Sequence, residues 1–196
     1  SALCCRWRHS CPGLGKHGPF ERIGTPTVVV FFAQLRLDPF SMSPRRILHV
    51  INNLHLGGAE TMLVRLLSRL DRDRWSPRVV SLVGGGPTSD QLESLGVPVT
   101  MVGMRRGLPG PTTLVRLTRA VRQARPELIQ TWLYHSDLLG GLASRLARTR
   151  APVVWNLRRG GPIRGVDKRT TIWTARLCAG LSRRIPDRIV ANSEFG

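Results

Sequence analysis

The sequence predicts an α/β domain built on one parallel, doubly wound sheet of the Rossmann-like kind, and three observations carry that expectation. From residue 46 onward, six short apolar runs recur, each about as long as a strand. The segments between them are long enough for helices, and some place apolar residues at i, i+3, i+4 and i+7. Glycine- and proline-rich junctions separate runs from segments. Strands apolar along their whole length are those buried on both faces, which is the habit of a parallel sheet sandwiched by helices. Right-handed crossovers then give the doubly wound form, with strand order 3-2-1-4-5-6 expected from the frequency of that arrangement.

The elements follow in order. Residues 47–52 (Ile-Leu-His-Val-Ile-Asn) read as the first strand, and 59–70 as a helix whose face is Leu63, Leu66, Leu67 and Leu70. Residues 78–83 read as the second strand, stopped by Gly84-Gly85-Gly86-Pro87. Thr88 or Ser89 is expected to cap a short helix ending at Leu95, with Gly96 as its stop. The third strand is 97–102, and 107–111 is a loop. Thr112 or Thr113 then caps a helix to Arg125, which Pro126 ends. Residues 128–132 form the fourth strand and 136–148 a helix. The fifth strand is 152–157, followed by a Gly/Pro-rich loop and a helix from about 168 to 183. The sixth strand is 187–192.

The 196 residues suffice for one ordinary domain, and a hydrophobic fraction of 41% makes it globular. The formal net charge of +18 is extreme, and all but two of the 30 basic side chains are arginine, the exceptions being Lys16 and Lys168. Such a charge points to an anionic partner. The stripe Arg116, Arg119, Arg122 and Arg125 reads first as a solvated helix face, and second as a peripheral contact with anionic lipid. Cys4, Cys5 and Cys11 crowd the start while Cys178 stands alone, an arrangement that fits a reducing, cytoplasmic compartment rather than a disulfide framework. Cys4, Cys5, His9 and Cys11 match no strong zinc spacing, so no metal site is expected. No apolar run reaches the length of a membrane span. Residues 1–41 lack sustained periodicity. Met42 followed by a few polar residues and a strand reads as the native start, leaving 1–41 as a non-native or disordered leader and 42–196 as the domain.

Ligands of open α/β sheets bind at the carboxyl ends of the strands, where strand order reverses. After the first strand comes Asn52-Asn53-Leu54-His55-Leu56-Gly57-Gly58-Ala59-Glu60. Gly57 and Gly58 let a ligand approach the backbone, and the helix start favours an anion. A plain strand-to-helix turn remains the alternative. After the fourth strand stand His135, Ser136 and Asp137. His135 can bond a sugar hydroxyl or a phosphate, or it or Ser136 can cap the next helix. After the fifth strand, Arg158 and Arg159 offer paired guanidinium donors to an anion. After the sixth, Asn192, Ser193 and Glu194 can touch an acceptor or cap a helix.

The stretches 47–67 (ILHVINNLHLGGAETMLVRLL), LIQTWLYHSDLLGGLASRLA, PVVWNLRRG and PDRIVANSE resemble, in that order, motifs of the family 4 retaining glycosyltransferases, over residues 46–196. The resemblance implies the N-terminal, acceptor-side half of a two-domain GT-B enzyme, with the C-terminal donor domain missing. It implies a UDP- or GDP-linked nucleotide sugar as co-substrate, a glycan or lipid-linked acceptor, retention of configuration, and no cofactor or metal. It places Gly57, Gly58, Arg158 and Arg159 by the donor phosphates and sugar, and Asn53, His55, His135, Asn192, Ser193 and Glu194 on the acceptor side. His135 and Arg158 are the catalytic candidates. Many members carry a histidine just after the fifth strand, where this sequence reads Asn156-Leu157-Arg158, so the position carries over to Arg158 but the histidine role does not. The lone half is expected to be inactive, in the cytoplasm or on the inner face of the membrane.

Two other classes compete. A nicotinamide-dependent oxidoreductase needs Gly-x-Gly-x-x-Gly after the first strand and an acid near the end of the second, and both are missing. A nucleic-acid-binding module usually adds a reader helix, a zinc frame or an aromatic platform. Aromatics make up only 6% here and do not interleave with the arginines, so no specific nucleic-acid recognition is expected.

Overall fold

The structure is a computed structural model that describes residues 43–105, 110–157 and 168–191. The expected leader, Arg158, Arg159, Asn192, Ser193 and Glu194 lie outside the described residues. Strands and helices alternate: β1 (Arg45–Ile51), α1 (Gly58–Ser68), β2 (Trp75–Ser81), α2 (Pro87–Ser94), β3 (Val99–Met101), α3 (Pro111–Ala124), β4 (Leu128–Trp132), α4 (Tyr134–Leu146), β5 (Val153–Leu157), α5 (Arg169–Leu181) and β6 (Arg188–Ala191). The strands form one sheet in the order β3-β2-β1-β4-β5-β6, with every pairing parallel. The expected fold class and strand order are both found.

Register explains the layers. Val50 pairs with Thr131, and Thr131 with Trp155, so these three side chains share one face. A Cβ on Gly140 of α4 would meet Thr131 and Val50, so α4 covers that face. Helix α4 packs on both α3 and α5, which completes the layer. Helix α1 packs on α2, and the reversal of crossover direction puts that pair on the opposite face. Strands β4 and β5 are buried along their whole length, as strands between two helical layers must be.

The core holds Trp132 and Trp155, both fully buried, among Ile47, Leu48, Val50 and Ile51 of β1. The apolar stripe of α1 buries Leu63, Leu66 and Leu67 as its spacing predicts, while Leu70 falls just beyond the helix. Gly140 and Gly141 lie in mid-helix, where glycine costs about 1 kcal/mol relative to alanine. They are there because α4 lies close to the sheet at Gly140 and close to the segment before β6 at Gly141. A Cβ on Gly140 would come to 2.7 Å from Thr131 Cγ2, and one on Gly141 would collide with Ile185.

Three caps differ from expectation. Gly86, not Thr88 or Ser89, is the N-cap of α2. Ser89 sits three residues on, where its Oγ accepts from Gly86 N at 3.1 Å and donates to Gly86 O at 2.5 Å. Gly110, not Thr112 or Thr113, caps α3, with Pro111 in the first turn where its missing N–H is harmless. Leu133 caps α4, so neither His135 nor Ser136 does, and that helix begins two residues earlier than expected.

Candidate functional site: a cleft at the sheet switch point

β1 lies between β2 and β4, so strand order reverses there. A cleft of about 290 Å³ opens at this carboxyl edge. Asn52, Asn53 and His55 line it from the turn after β1, and Val83 and Met104 from the turns after β2 and β3. His135 comes from the first turn of α4, and Lys168, Thr170 and Thr171 from the start of α5. Thus Asn53, His55 and His135 meet in one cleft. Gly57 and Gly58 are not among its lining residues. The sequence reading missed Val83, Met104, Lys168, Thr170 and Thr171. Lys168 carried a signal, because it is the only lysine after residue 16. Val83 and Met104 carried none, since Val83 reads as the end of the second strand and an apolar residue just past a strand, such as Met104, reads as core.

The turn after β1 is held from two sides. Asn53 Oδ1 accepts from His55 N at 3.0 Å, which closes a local Asx-type turn. From the neighbouring turn, Thr88 N donates to Leu54 O at 3.2 Å, and Thr88 Oγ1 donates to His55 O at 3.1 Å. Gly86 makes this approach feasible: a Cβ there would lie 2.6 Å from Leu54 O. Thr88 therefore pins the candidate loop rather than capping its own helix. Gly57 is the N-cap of α1 in an extended conformation, with no side chain capping the helix. Its φ of −170° is open to any residue. A Cβ on Gly58 would meet nothing within 4 Å, and one on Gly57 would meet only the flexible end of Glu60. Both glycines are exposed. Neither is demanded by the fold itself, which leaves access to the uncapped amides of α1 as what their small size provides.

The turn after β4 is strained and polar. Leu133 has φ 72° and ψ 157°, a conformation that costs a non-glycine residue about 1–3 kcal/mol. Asp137 N donates to Leu133 O at 2.9 Å and closes the first turn of α4 over it. The Asp137 carboxyl is wholly buried and accepts from Thr131 Oγ1 at 2.5 Å. Burial raises it well above the usual 3.8, and the Thr131 hydrogen bond opposes that only in part. His135 is partly buried, and desolvation lowers its imidazole below the usual 6.5. It therefore enters the cleft at neutral pH as a neutral ring that can both donate and accept. Among the described residues, Asn52 Oδ1 and Ser136 Oγ are buried without a hydrogen-bond partner.

The arginine stripe on α3 is partly committed to the fold. Arg116 Nη1 donates to Val102 O at 3.2 Å, and Arg122 Nη2 to Leu146 O at 2.8 Å. The Arg125 carbonyl accepts from Arg46 Nε at 2.7 Å. Two guanidiniums of the stripe, those of Arg116 and Arg122, thus tie the ends of neighbouring elements together, while Arg125 takes part only through its backbone carbonyl. Among the described residues, no group of three His, Cys, Asp or Glu side chains could hold a metal ion, and no helix is long and apolar enough to cross a membrane.

The fold is shared with two crystal structures of Anabaena Alr3699/HepE, one in complex with UDP and glucose and one with UDP-glucose. The first matches with a TM-score of 0.58 and 24% identity, over 77% of this chain and 39% of that one. The second matches with a TM-score of 0.58 and 23% identity, over 76% and 38%. The chain therefore spans about two fifths of these proteins, and its fold is that of the N-terminal half of a GT-B enzyme. No curated protein sequence matches it significantly. The model of Glycosyltransferase Family 4 matches residues 56–196, the part that carries the glycine turn, His135 and the last three strands, and the chain belongs to that family.

Proposed function

We propose that this chain is the acceptor-side lobe of an enzyme that transfers a sugar from a UDP- or GDP-linked donor to a glycan or lipid-linked acceptor, with retention of configuration. The observation that carries this reading is the convergence of Asn52, Asn53, His55 and His135 with the start of α5 on one cleft at the switch point. Family membership supplies the chemistry. The HepE structures with UDP and glucose, or with UDP-glucose, support the donor class.

In this reading the donor diphosphate lies against the uncapped N-terminus of α1, where Gly57 and Gly58 present backbone amides and no Cβ. The acceptor occupies the cleft, with its hydroxyl next to His135. A neutral imidazole there can accept that hydroxyl proton in hydrogen bonding and orient the oxygen. Arg158 and Arg159 are proposed to add charge on the donor side, and Asn192, Ser193 and Glu194 to extend the acceptor side. A second lobe closes over the nucleotide, so this lobe alone turns over little or no donor. No metal takes part, and the work is cytoplasmic, with the acceptor delivered from a membrane face when it is lipid-linked.

The test is nucleotide release from UDP- and GDP-sugars by the natural protein, with wild type compared against Gly58→Trp and His135→Ala. Acceptor-dependent release that both changes abolish at unchanged melting temperature supports the reading. Reduction of a nicotinamide cofactor, or full activity in Gly58→Trp, overturns it.

A further inference from the structure

The start of α4 breaks several rules of stable folding within a single turn. Leu133 holds a φ of 72°, which a residue with a side chain adopts only at a cost. Ser136 Oγ is buried and, among the described residues, has no hydrogen-bond partner. Asp137 is a wholly buried carboxyl whose Oδ1 accepts from Thr131 Oγ1 at 2.5 Å, while its Oδ2 has no partner among the described residues. Each feature opposes stability, and an apolar residue at 137 would avoid burying a half-satisfied carboxyl. Such departures are expected where a sequence serves a site rather than the fold. In this turn Tyr134, Ser136 and Asp137 are buried, and His135 alone lines the cleft.

We propose that Asp137 is a positioning residue: through Thr131 it clamps the first turn of α4 onto β4, and so fixes where the His135 ring stands in the cleft. Its effect on sugar transfer rests on the reading of His135 as the group beside the acceptor hydroxyl. The clamp has a rigid base, because Thr131 is paired to β1 on one side and to β5 on the other. Gly140, one turn along α4 from Asp137, lets the helix come near enough for the bond: a Cβ there would lie 2.7 Å from Thr131 Cγ2. From the other side, Cys178 Sγ of α5 donates to Tyr134 O at 3.3 Å. The turn that carries His135 is therefore tied both to the sheet and to the helix whose start forms the facing wall. Burial raises the Asp137 pKa, so the neutral acid persists well above pH 3.8. In that form Oδ1 still accepts from Thr131, and asparagine is its closest mimic.

The experiment follows the His135 ring by carbon–proton NMR in the full chain, its signals assigned by their loss in His135→Ala. Two variants of Thr131 separate positioning from packing. Thr131→Val keeps the methyl that faces Gly140 and loses the hydroxyl, whereas Thr131→Ser keeps the hydroxyl and loses the methyl. The expected result is that Thr131→Val and Asp137→Leu displace the ring signals, while Thr131→Ser and Asp137→Asn hold them near the wild-type positions, whatever each does to the melting temperature. In nucleotide release by the natural protein, Thr131→Val should lower kcat about ten- to a hundredfold at unchanged donor KM, the scale of a misplaced reacting group, and Thr131→Ser should rescue it. Ring signals that Thr131→Val leaves unmoved, or that Thr131→Ser displaces as far as Thr131→Val does, would overturn the proposal and reduce the pair to a packing contact. A ring displaced in Thr131→Val, with no sugar transfer by the natural protein, keeps the clamp and removes the transferase reading. Transfer that Thr131→Val leaves undiminished keeps the transferase and removes the positioning role.

Discussion

Acidification should destabilise this protein through one residue in the middle of the sheet, His49. Its side chain is completely buried on the central strand, and desolvation lowers its pKa from 6.5 to about 3. The ring is also held in one protonation state: Trp132 Nε1 donates to His49 Nδ1 at 3.4 Å, and Nε2 has no acceptor. A protonated ring would offer a second N–H where Trp132 already donates. The sign follows from the depressed value. Above pH 6.5 neither the folded nor the unfolded state binds the proton, and the stability is fully present. Between pH 6.5 and about 3 only the unfolded chain binds it, so stability falls as pH falls. One pH unit is worth 1.36 kcal/mol, so at pH 5 the loss relative to pH 8 is about 2 kcal/mol. Urea unfolding of wild type and His49→Leu at the two pH values measures it. His135 shifts in the same direction and Asp137 in the opposite one, but both are present in each protein and cancel in the difference. The wild type should lose about 2 kcal/mol more than the variant on going to pH 5. Equal pH dependence in the two proteins would refute the reasoning, because it would mean that His49 is solvated or paired in the folded state.

Other outcomes follow from the same geometry. Gly141→Ala must displace Ile185, and should cost roughly 1–3 kcal/mol in chemical denaturation despite alanine's better helix propensity. Gly58→Ala is exposed and meets nothing, so its melting temperature should stay the same or rise, by up to about 1 kcal/mol of stability. If sugar transfer survives a bulky residue at Gly58, the donor does not approach there. Asp137→Asn keeps an acceptor for Thr131 and removes a carboxyl whose pKa is raised. Its stability relative to wild type should climb as pH rises above 3.8, which a melting series from pH 4 to 8 reads directly. Thr88→Val removes the hydroxyl that pins His55 O, and should weaken substrate binding more than it lowers the melting temperature.

Much of this architecture was legible from one dimension. Strand runs, the leucine spacing of α1 and the breaks at Gly96 and Pro126 are local signals, because period and punctuation act over a few residues. They located six strands and five helices, and with the handedness of crossovers they led to the strand order. The same reading placed the end of β1 and the start of α4 beside each other, and Asn53, His55 and His135 do line one cleft. Cap identities were less legible. Thr88 looks like a cap in sequence, yet its hydroxyl serves the turn after β1, a partner 33 residues away.

What the sequence by itself determined is therefore the layered sheet, the family, and the strand ends where ligands gather. Only the tertiary structure decided that Lys168, Thr170 and Thr171 complete the cleft, that Gly57 and Gly58 stand outside its walls, and that Gly140 makes room for the sheet and Gly141 for Ile185. It also decided that His49 is a buried base and Asp137 a buried acid. The physical reason is the same in each case. Desolvation, close approach and the convergence of turns depend on neighbours through space, and no spacing along the chain records them.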